Sequence, residues 1–336
     1  MRVFVYEWVT GGGLLGESGE ELAKLKPEGD AMAGAVAEDL AAAGVAVTVL
    51  RDDRLASNAP ASAGIVRIAS PEEHAREFDR LCQACDATLL IAPEFDGVLL
   101  NAARRAERIG TRLISPSSRF IEATFDKHKT CDRLAESGVA TTRGTTETIG
   151  DRPPVDLRFP CVVKPLDGAG SLGCRLVRGP EDWRRLGEGP HRVEALAPGL
   201  AASVAVIGGP AGLVAAPAMT QRLASDDTLG YLGGESIVDS NLKARAQRLA
   251  LKAIAACPPL HGYAGVDLVL GDDASGSQDV FVEINPRLTT SYCGLRRAVA
   301  ENLAGVMLAA CEGRAATVTP TGQAVSFDAT GRVRDA

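Results

Sequence analysis

The sequence predicts an α/β domain followed by an α+β region, and three observations predict it. Over the first 115 residues, short apolar runs alternate with amphipathic stretches. Beyond residue 160, two short strand-like runs follow one another across a glycine-rich loop, with no helix between them. The 336 residues are 46% hydrophobic and 24% charged, a globular composition long enough for two or three separate cores.

In chain order, a strand at 3–8 leads to a helix at 31–43, then to strands at 45–50 and 65–69. A helix at 72–84, a fully apolar strand at 87–93 and a helix at 98–109 follow, leading to an apolar pair at 113–114. Continuous apolar strands separated by amphipathic helices imply a parallel sheet covered on both faces. From Pro116 the rhythm changes. A helix at 126–137, closed by Gly138, leads through a Thr-rich link to strands at 161–164 and 174–177, an antiparallel pair in a small lobe. From His191, strands at 203–207, 265–270 and 280–284 mix with helices at 242–256 and 295–311, and 317–333 reads as a terminal hairpin. The division expected is an α/β domain over 1–115, a small lobe over 116–190 and a C-terminal lobe over 191–336.

Composition narrows the function. Lys and Arg number 36 against 43 Asp and Glu, a formal charge of −7, and no four basic residues run together, which argues against a nucleic-acid or membrane-surface partner. No apolar stretch approaches the ~20 residues of a membrane span. The opening octet lacks the apolar core of a signal peptide, so a cytoplasmic location is expected. Eight cysteines are too irregular for a disulfide scaffold. Cys82 and Cys85 form a C-x-x-C inside the helix predicted at 72–84, without a second pair at zinc spacing, so a packed, reduced pair is expected over a redox or metal site.

The spacing G-x-G-x-x-G occurs twice. Gly11, Gly13 and Gly16 follow the opening strand, but a dinucleotide site needs a helix to start at once, and here residues 17–30, with Pro27 and Gly29, precede the helical pattern. A mobile loop touching substrate is expected instead. Gly168, Gly170 and Gly173, with Ser171 among them, run from strand to strand after Lys164. Such a loop closes backbone N–H groups over phosphate oxygens as a flap, and Lys164 adds a point charge. A Gly-rich hairpin beside a surface lysine is the competing reading.

An acidic constellation follows. Asp267 interrupts an apolar strand, where a carboxylate needs a cation. On the next predicted strand the period of two puts Glu283, Asn285 and Arg287 on one face. Pairing these strands gathers Asp267, Glu283 and Asn285 into an all-oxygen cluster suited to magnesium on nucleotide phosphates, with Arg287 placed to neutralise a phosphoryl group or grip a carboxylate. A buried salt bridge from Arg287 to Asp267 or Glu283 stays open as the structural alternative. Arg296 and Arg297 fall in the first turn of the helix predicted at 295–311, where cations are disfavoured, which suggests an anionic substrate beside them and the hydroxyls of Thr289, Thr290 and Ser291. A solvated pair offset by Glu301 is the alternative.

Taken together, these residues resemble the ATP-grasp superfamily of carboxylate–amine ligases. The segment around Asp126 and Lys127, with Thr130, Leu134 and Gly138, is similar to the family's first nucleotide-lysine segment, and Lys164 with its glycine flap to the second. The run from Glu194 to Leu196 resembles the hinge that binds adenine. Asp267, Glu283 and Asn285 match the magnesium ligands and Arg287 the phosphoryl-stabilising arginine. No acid follows the hinge to hold the ribose. The run from Glu283 to Tyr292, the loop at 230–234 and the segment at Gly11 to Gly13 look most like the tyramine–glutamate ligase group, which serves methanofuran- and methylofuran-type cofactor biosynthesis.

The resemblance implies an ATP-grasp fold behind a Rossmann-like pre-ATP-grasp domain. It also implies ATP and Mg2+ (or Mn2+), and an amide bond formed between an amino acid, glutamate by family likeness, and an amine through an acyl phosphate. Both substrates are small molecules, and a homodimer is left open. The rivals are another amino-acid ligase of the D-alanine ligase type, a dinucleotide-dependent oxidoreductase using Gly11 to Gly16, and a non-catalytic ATP sensor.

Overall fold

The computed structural model of the protein describes residues 1–17, 19–56, 61–150, 152–168 and 172–335, and among these it contains four sheets. The first is parallel, formed by β1 (Arg2–Glu7), β2 (Ala46–Asp52), β3 (Gly64–Ile68), β4 (Ala87–Ile91) and β5 (Arg112–Leu113) in the order β3-β2-β1-β4-β5. Helices α1 (Gly19–Ala42), α2 (Pro71–Ala84) and α3 (Val98–Ile109) cover it. On α1, Met32, Val36 and Leu40 recur every fourth residue and are buried with Val3, Val5 and Val47. On α2, Ser70 caps the helix by accepting from the Glu73 N–H, Pro71 stands in the first turn, and Phe78, Leu81 and Cys82 pack inward. The expected reduced C-x-x-C is observed: Cys82 and Cys85 are unbridged, and Cys82 is buried.

Two expectations for this region are corrected. The first helix begins at Gly19, not near residue 31, and continues through Pro27, because its apolar face gains more from the sheet than one missing N–H costs. The Gly11–Gly13 segment is not a mobile loop. Val9–Gly13 forms a wide helical turn, with Thr10, Gly11 and Gly12 buried. A Cβ on Gly13 would stand 2.2 Å from the Trp8 ring, so the glycine serves close packing against the indole.

Helices α4 (Ser118–Thr124) and α5 (Lys127–Glu136) lead into an antiparallel sheet of β6 (Gly144–Ile149), β7 (Cys161–Pro165), β8 (Arg175–Val177) and β9 (Gly189–Ala195), in the order β6-β9-β7-β8. Helix α6 (Pro180–Trp183) buries Trp183 against it. The boundary expected at residue 191 falls inside β9, whose residues 191–195 pair with β7.

The third sheet joins β10 (Leu200–Gly209), β11 (Gly212–Ala215), β12 (Met219–Thr220), β15 (Gly262–Leu270) and β16 (Val280–Asn285). Helix α7 (Ser240–Ala255) covers one face, burying Ala246, Ala250 and Ile254. The fourth joins β13 (Arg222–Leu223), β14 (Tyr231–Glu235), β17 (Val325–Asp328) and β18 (Val333–Asp335). The terminal hairpin is therefore present, and residues 231–234, expected in a loop, form a strand against β17. The helix expected over 295–311 is two helices, α8 (Ser291–Ala298) and α9 (Leu303–Cys311). Val299 is extended and bridges Pro320, and Asn302 starts the second helix by accepting from the Gly305 N–H. Among the described residues no helix is long and apolar enough to cross a membrane.

Candidate active site

A cleft of about 390 Å³ opens between the small antiparallel sheet and the sheet that carries β15 and β16. Local chemistry places each wall. Asp126 caps α5 by accepting from the Lys129 N–H, which sets Lys127 as the first helical residue. Its Nζ donates to the Gly168 carbonyl at 2.6 Å and lies 3.4 Å from Oε2 of Glu283. Lys164 reaches the cleft from β7. At the hinge, Gly199 takes φ +136°, and a Cβ there would stand 2.2 Å from the Leu270 carbonyl. Only glycine lets the chain leave β9 so close beneath β15.

β15 and β16 run antiparallel with Asp267 opposite Glu283, and Asn285 opposite Gly265. Asp267 Oδ2 accepts from Asn285 Nδ2 at 3.0 Å, and Oδ1 accepts from Gln221 Nε2 at 2.9 Å. Burial and the Glu283 charge push the Asp267 carboxyl well above the ordinary carboxylate range. Two crowded carboxylates and an amide are the oxygen set of a cation that takes its remaining ligands from phosphates and water. The donor set therefore fits Mg2+.

Arg287 does not bridge Asp267 or Glu283. Its Nε donates to Oε1 of Glu94 at 3.0 Å, and Nη1 donates to the Leu288 carbonyl. Glu94 follows β4 of the first sheet, so this pair ties the two halves of the molecule together. Burial raises the Glu94 pKa against the pull of Arg287 and Lys127, and its Oε2 is buried without a hydrogen-bond partner.

Lys164 and Glu194 form a second buried pair, with Nζ 2.7 Å from Oε1. Oε2 of Glu194 accepts from Arg192 Nε and from Thr142 Oγ1, each at 2.7 Å. Burial works to raise the Glu194 pKa, but Lys164 and Arg192 outweigh it and hold the carboxyl below its ordinary value. Leu196, on the cleft wall just beyond, is exposed.

The expected set is thus largely brought together: Lys127, Lys164, Gly168, Glu194, Leu196, Asp267, Glu283, Asn285, Arg287, Thr289, Thr290 and Ser291 all line one cleft. Gly173 takes φ +73° beside Pro165, while Gly170 and Ser171 lie outside the described residues. Arg296 and Arg297 do not belong. Helix α8 begins at Ser291, so both arginines fall in its last turn, where the macrodipole favours cations. Arg296 donates to Asp39 and Glu38 of α1, and both arginines line a separate groove.

Sequence reasoning missed Glu94, Glu28 and Gln221. Glu94 carried a signal, an acid at the C-terminal end of a parallel strand where ligands collect. Glu28, whose Oε1 accepts from Thr290 Oγ1 at 2.6 Å, carried none, since the pairing spans 262 positions.

Residues 45–121 match the pre ATP-grasp 3 domain. The chain is 27% identical over 211 residues to the tyramine–L-glutamate ligase of Methanocaldococcus fervens, covering 63% of this chain and 62% of that protein. It is 26% identical over 234 residues to the enzyme of the same name from Methanocaldococcus jannaschii, covering 69% and 66%. The chain thus spans under two thirds of the length of these curated relatives. Among solved structures, an ATP-grasp superfamily protein of Archaeoglobus fulgidus shares the fold with a TM-score of 0.68 at 20% identity, covering 98% of this chain and 92% of that one. The ATP-grasp domain family matches residues 124–291, half of the chain and the source of most of the residues that line the cleft, and the protein belongs to that family.

Proposed function

We propose that the protein is an ATP- and Mg2+-dependent ligase that joins an amino-acid carboxylate to an amine through an acyl phosphate. The observation that carries this reading is the convergence of Lys127, Lys164, Asp267 and Glu283 on one cleft, although they come from separate elements. Two lysines suit a triphosphate, and the acidic pair suits its metal. Mg2+ there would supply charge neutralisation on the phosphates, held by Asp267, Glu283 and the Asn285 amide oxygen.

The chain's own residues do the rest by position and charge. The substrate carboxylate attacks the γ-phosphorus, the bond to the β–γ bridging oxygen breaks, and ADP departs. Arg287, fixed by Glu94, faces the charge that moves onto the transferred group. An amine then displaces phosphate from the acyl carbon, so no side-chain nucleophile is needed. Leu172 and Gly168, which line the cleft, would help keep water from the activated acyl group once nucleotide is bound.

The names of the two curated relatives support L-glutamate as the acid and tyramine, or a related aryl or furan amine, as the nucleophile. A cytoplasmic role in making one-carbon cofactors of the methanofuran or methylofuran type goes with those substrates. The test is incubation with ATP, Mg2+, glutamate and tyramine, followed by mass spectrometry and ADP measurement. A glutamyl amide formed with one ADP per bond is expected. ADP release without any amide, across a panel of amines and amino acids, would overturn the reading.

A further inference from the structure

Among the described residues four carboxylates line the cleft: Glu28, Glu194, Asp267 and Glu283. Three are accounted for. Glu194 has both oxygens engaged by Lys164, Arg192 and Thr142. Asp267 and Glu283 form the acidic pair, and Glu283 also faces Lys127. Glu28 is different. Its Oε1 accepts from Thr290 Oγ1, and among the described residues no cation stands within ion-pair distance of it.

The turn that presents Glu28 is fixed to the first sheet. Gly29 packs on Glu7, and a Cβ there would lie 2.6 Å from Glu7 Oε2. Glu7 is itself held by the Val9 and Thr10 N–H groups. One residue on, Asp30 pairs with Arg51 at 2.5 Å and with Lys26 at 2.6 Å. A half-buried carboxylate at a cleft wall, held by one hydroxyl and with no cation at ion-pair distance among the described residues, offers a counter-charge to whatever enters.

Arg287 lines the same cleft as Glu28, together with the hydroxyls of Thr289, Thr290 and Ser291, the second of which donates to Glu28. A guanidinium and a carboxylate facing one space match a zwitterion, with the substrate carboxylate toward Arg287 and the ammonium toward Glu28. An ammonium paired with a carboxylate keeps its proton and cannot attack an acyl group. The partner is therefore the amino acid that is activated, and not the amine that displaces phosphate.

We propose that Glu28 is the ammonium subsite of the amino-acid substrate, selecting an α-amino acid over the same acid without its amino group. This rests on the ligase reading above. It also gives the site a way to stop the activated amino acid from acting as its own nucleophile.

The experiment compares glutamate with glutarate, its desamino counterpart, in wild type, Glu28→Gln and Glu28→Asp, scoring acyl transfer to hydroxylamine so that no second ammonium is present. Glu28→Gln is expected to raise the KM for glutamate at least tenfold, to leave glutarate within threefold, and so to collapse the wild-type preference. Glu28→Asp should restore part of it. With tyramine as nucleophile, the KM for tyramine should stay within threefold. An unchanged preference for glutamate overturns the proposal, as does a defect confined to the KM of tyramine, which would place that amine's ammonium at Glu28. If the wild type forms no hydroxamate or amide, the ligase reading fails and calorimetric binding decides Glu28 separately. Glutamate bound with ADP by wild type and tenfold more weakly by Glu28→Gln upholds the subsite; equal binding, or binding by neither, overturns it.

Discussion

Lys164 Nζ stands 2.7 Å from Glu194 Oε1, joining two strands of the small sheet at the cleft wall, where both side chains are at least nine-tenths buried. The pairing follows from register. Val162 lies opposite Glu194 and Lys164 opposite Arg192, so Lys164 and Glu194 are diagonal neighbours.

Glu194→Gln leaves Lys164 and Arg192 buried without their counter-charge, and urea unfolding should show a loss of about 3–5 kcal/mol. The pH dependence has a definite sign. Burial works to lower the Lys164 pKa, but Glu194 and Glu283 outweigh it and hold it raised, so its contribution is present below the ordinary lysine value and fades as pH climbs through the folded one. Glu194 is held low, so its contribution is present above the ordinary glutamate value and fades as pH falls through the folded one. The stability gap between wild type and variant should be flat between about pH 5 and 9 and shrink on either side.

Asp267→Asn separates fold from chemistry. A carboxyl whose folded pKa is raised stabilises fully below its ordinary value and loses that contribution as pH rises through the raised one. Without nucleotide, the variant should melt increasingly higher relative to wild type as pH goes from about 4 toward and past neutrality. ATP-dependent amide formation should fall by at least about 100-fold. Unfolding of the variant at neutral pH would mark Asp267 as a structural residue.

Arg296 binds Asp39, which also accepts from the Tyr292 hydroxyl, so it locks α8 to α1 and lies outside the cleft. Arg296→Ala should cost about 1.5–3 kcal/mol by thermal or urea unfolding. The KM values for ATP and for the amino acid should stay within about threefold, because the interaction lost is outside the cleft.

Cys82 is buried and pushed up to about 11, first by desolvation, so little thiolate exists near neutrality. Iodoacetamide at pH 8 should leave Cys82 unmodified in the native protein and label it after unfolding, as read by mass spectrometry of peptides.

The acidic face was legible in the sequence because a strand's period of two is local: Glu283 and Asn285 share a side whatever surrounds them. The parallel sheet was legible for a similar reason, since helical and strand periodicities are written in neighbouring residues. Helix starts were less so. The first helix lies across Pro27 and the last predicted one is broken at Val299, both through packing against distant segments. Arg296 was misplaced for the same reason, since moving a helix start by one turn reverses the sense of its dipole at that residue.

The sequence by itself determined which residue types could meet phosphate, metal and carboxylate, and in what order along the chain. Only the tertiary structure decided their partners. Arg287 turns to Glu94 across 193 positions, and Thr290 to Glu28 across 262. Such pairings are set by how distant segments pack into one core, and no local propensity or spacing encodes a contact between residues so far apart in the chain.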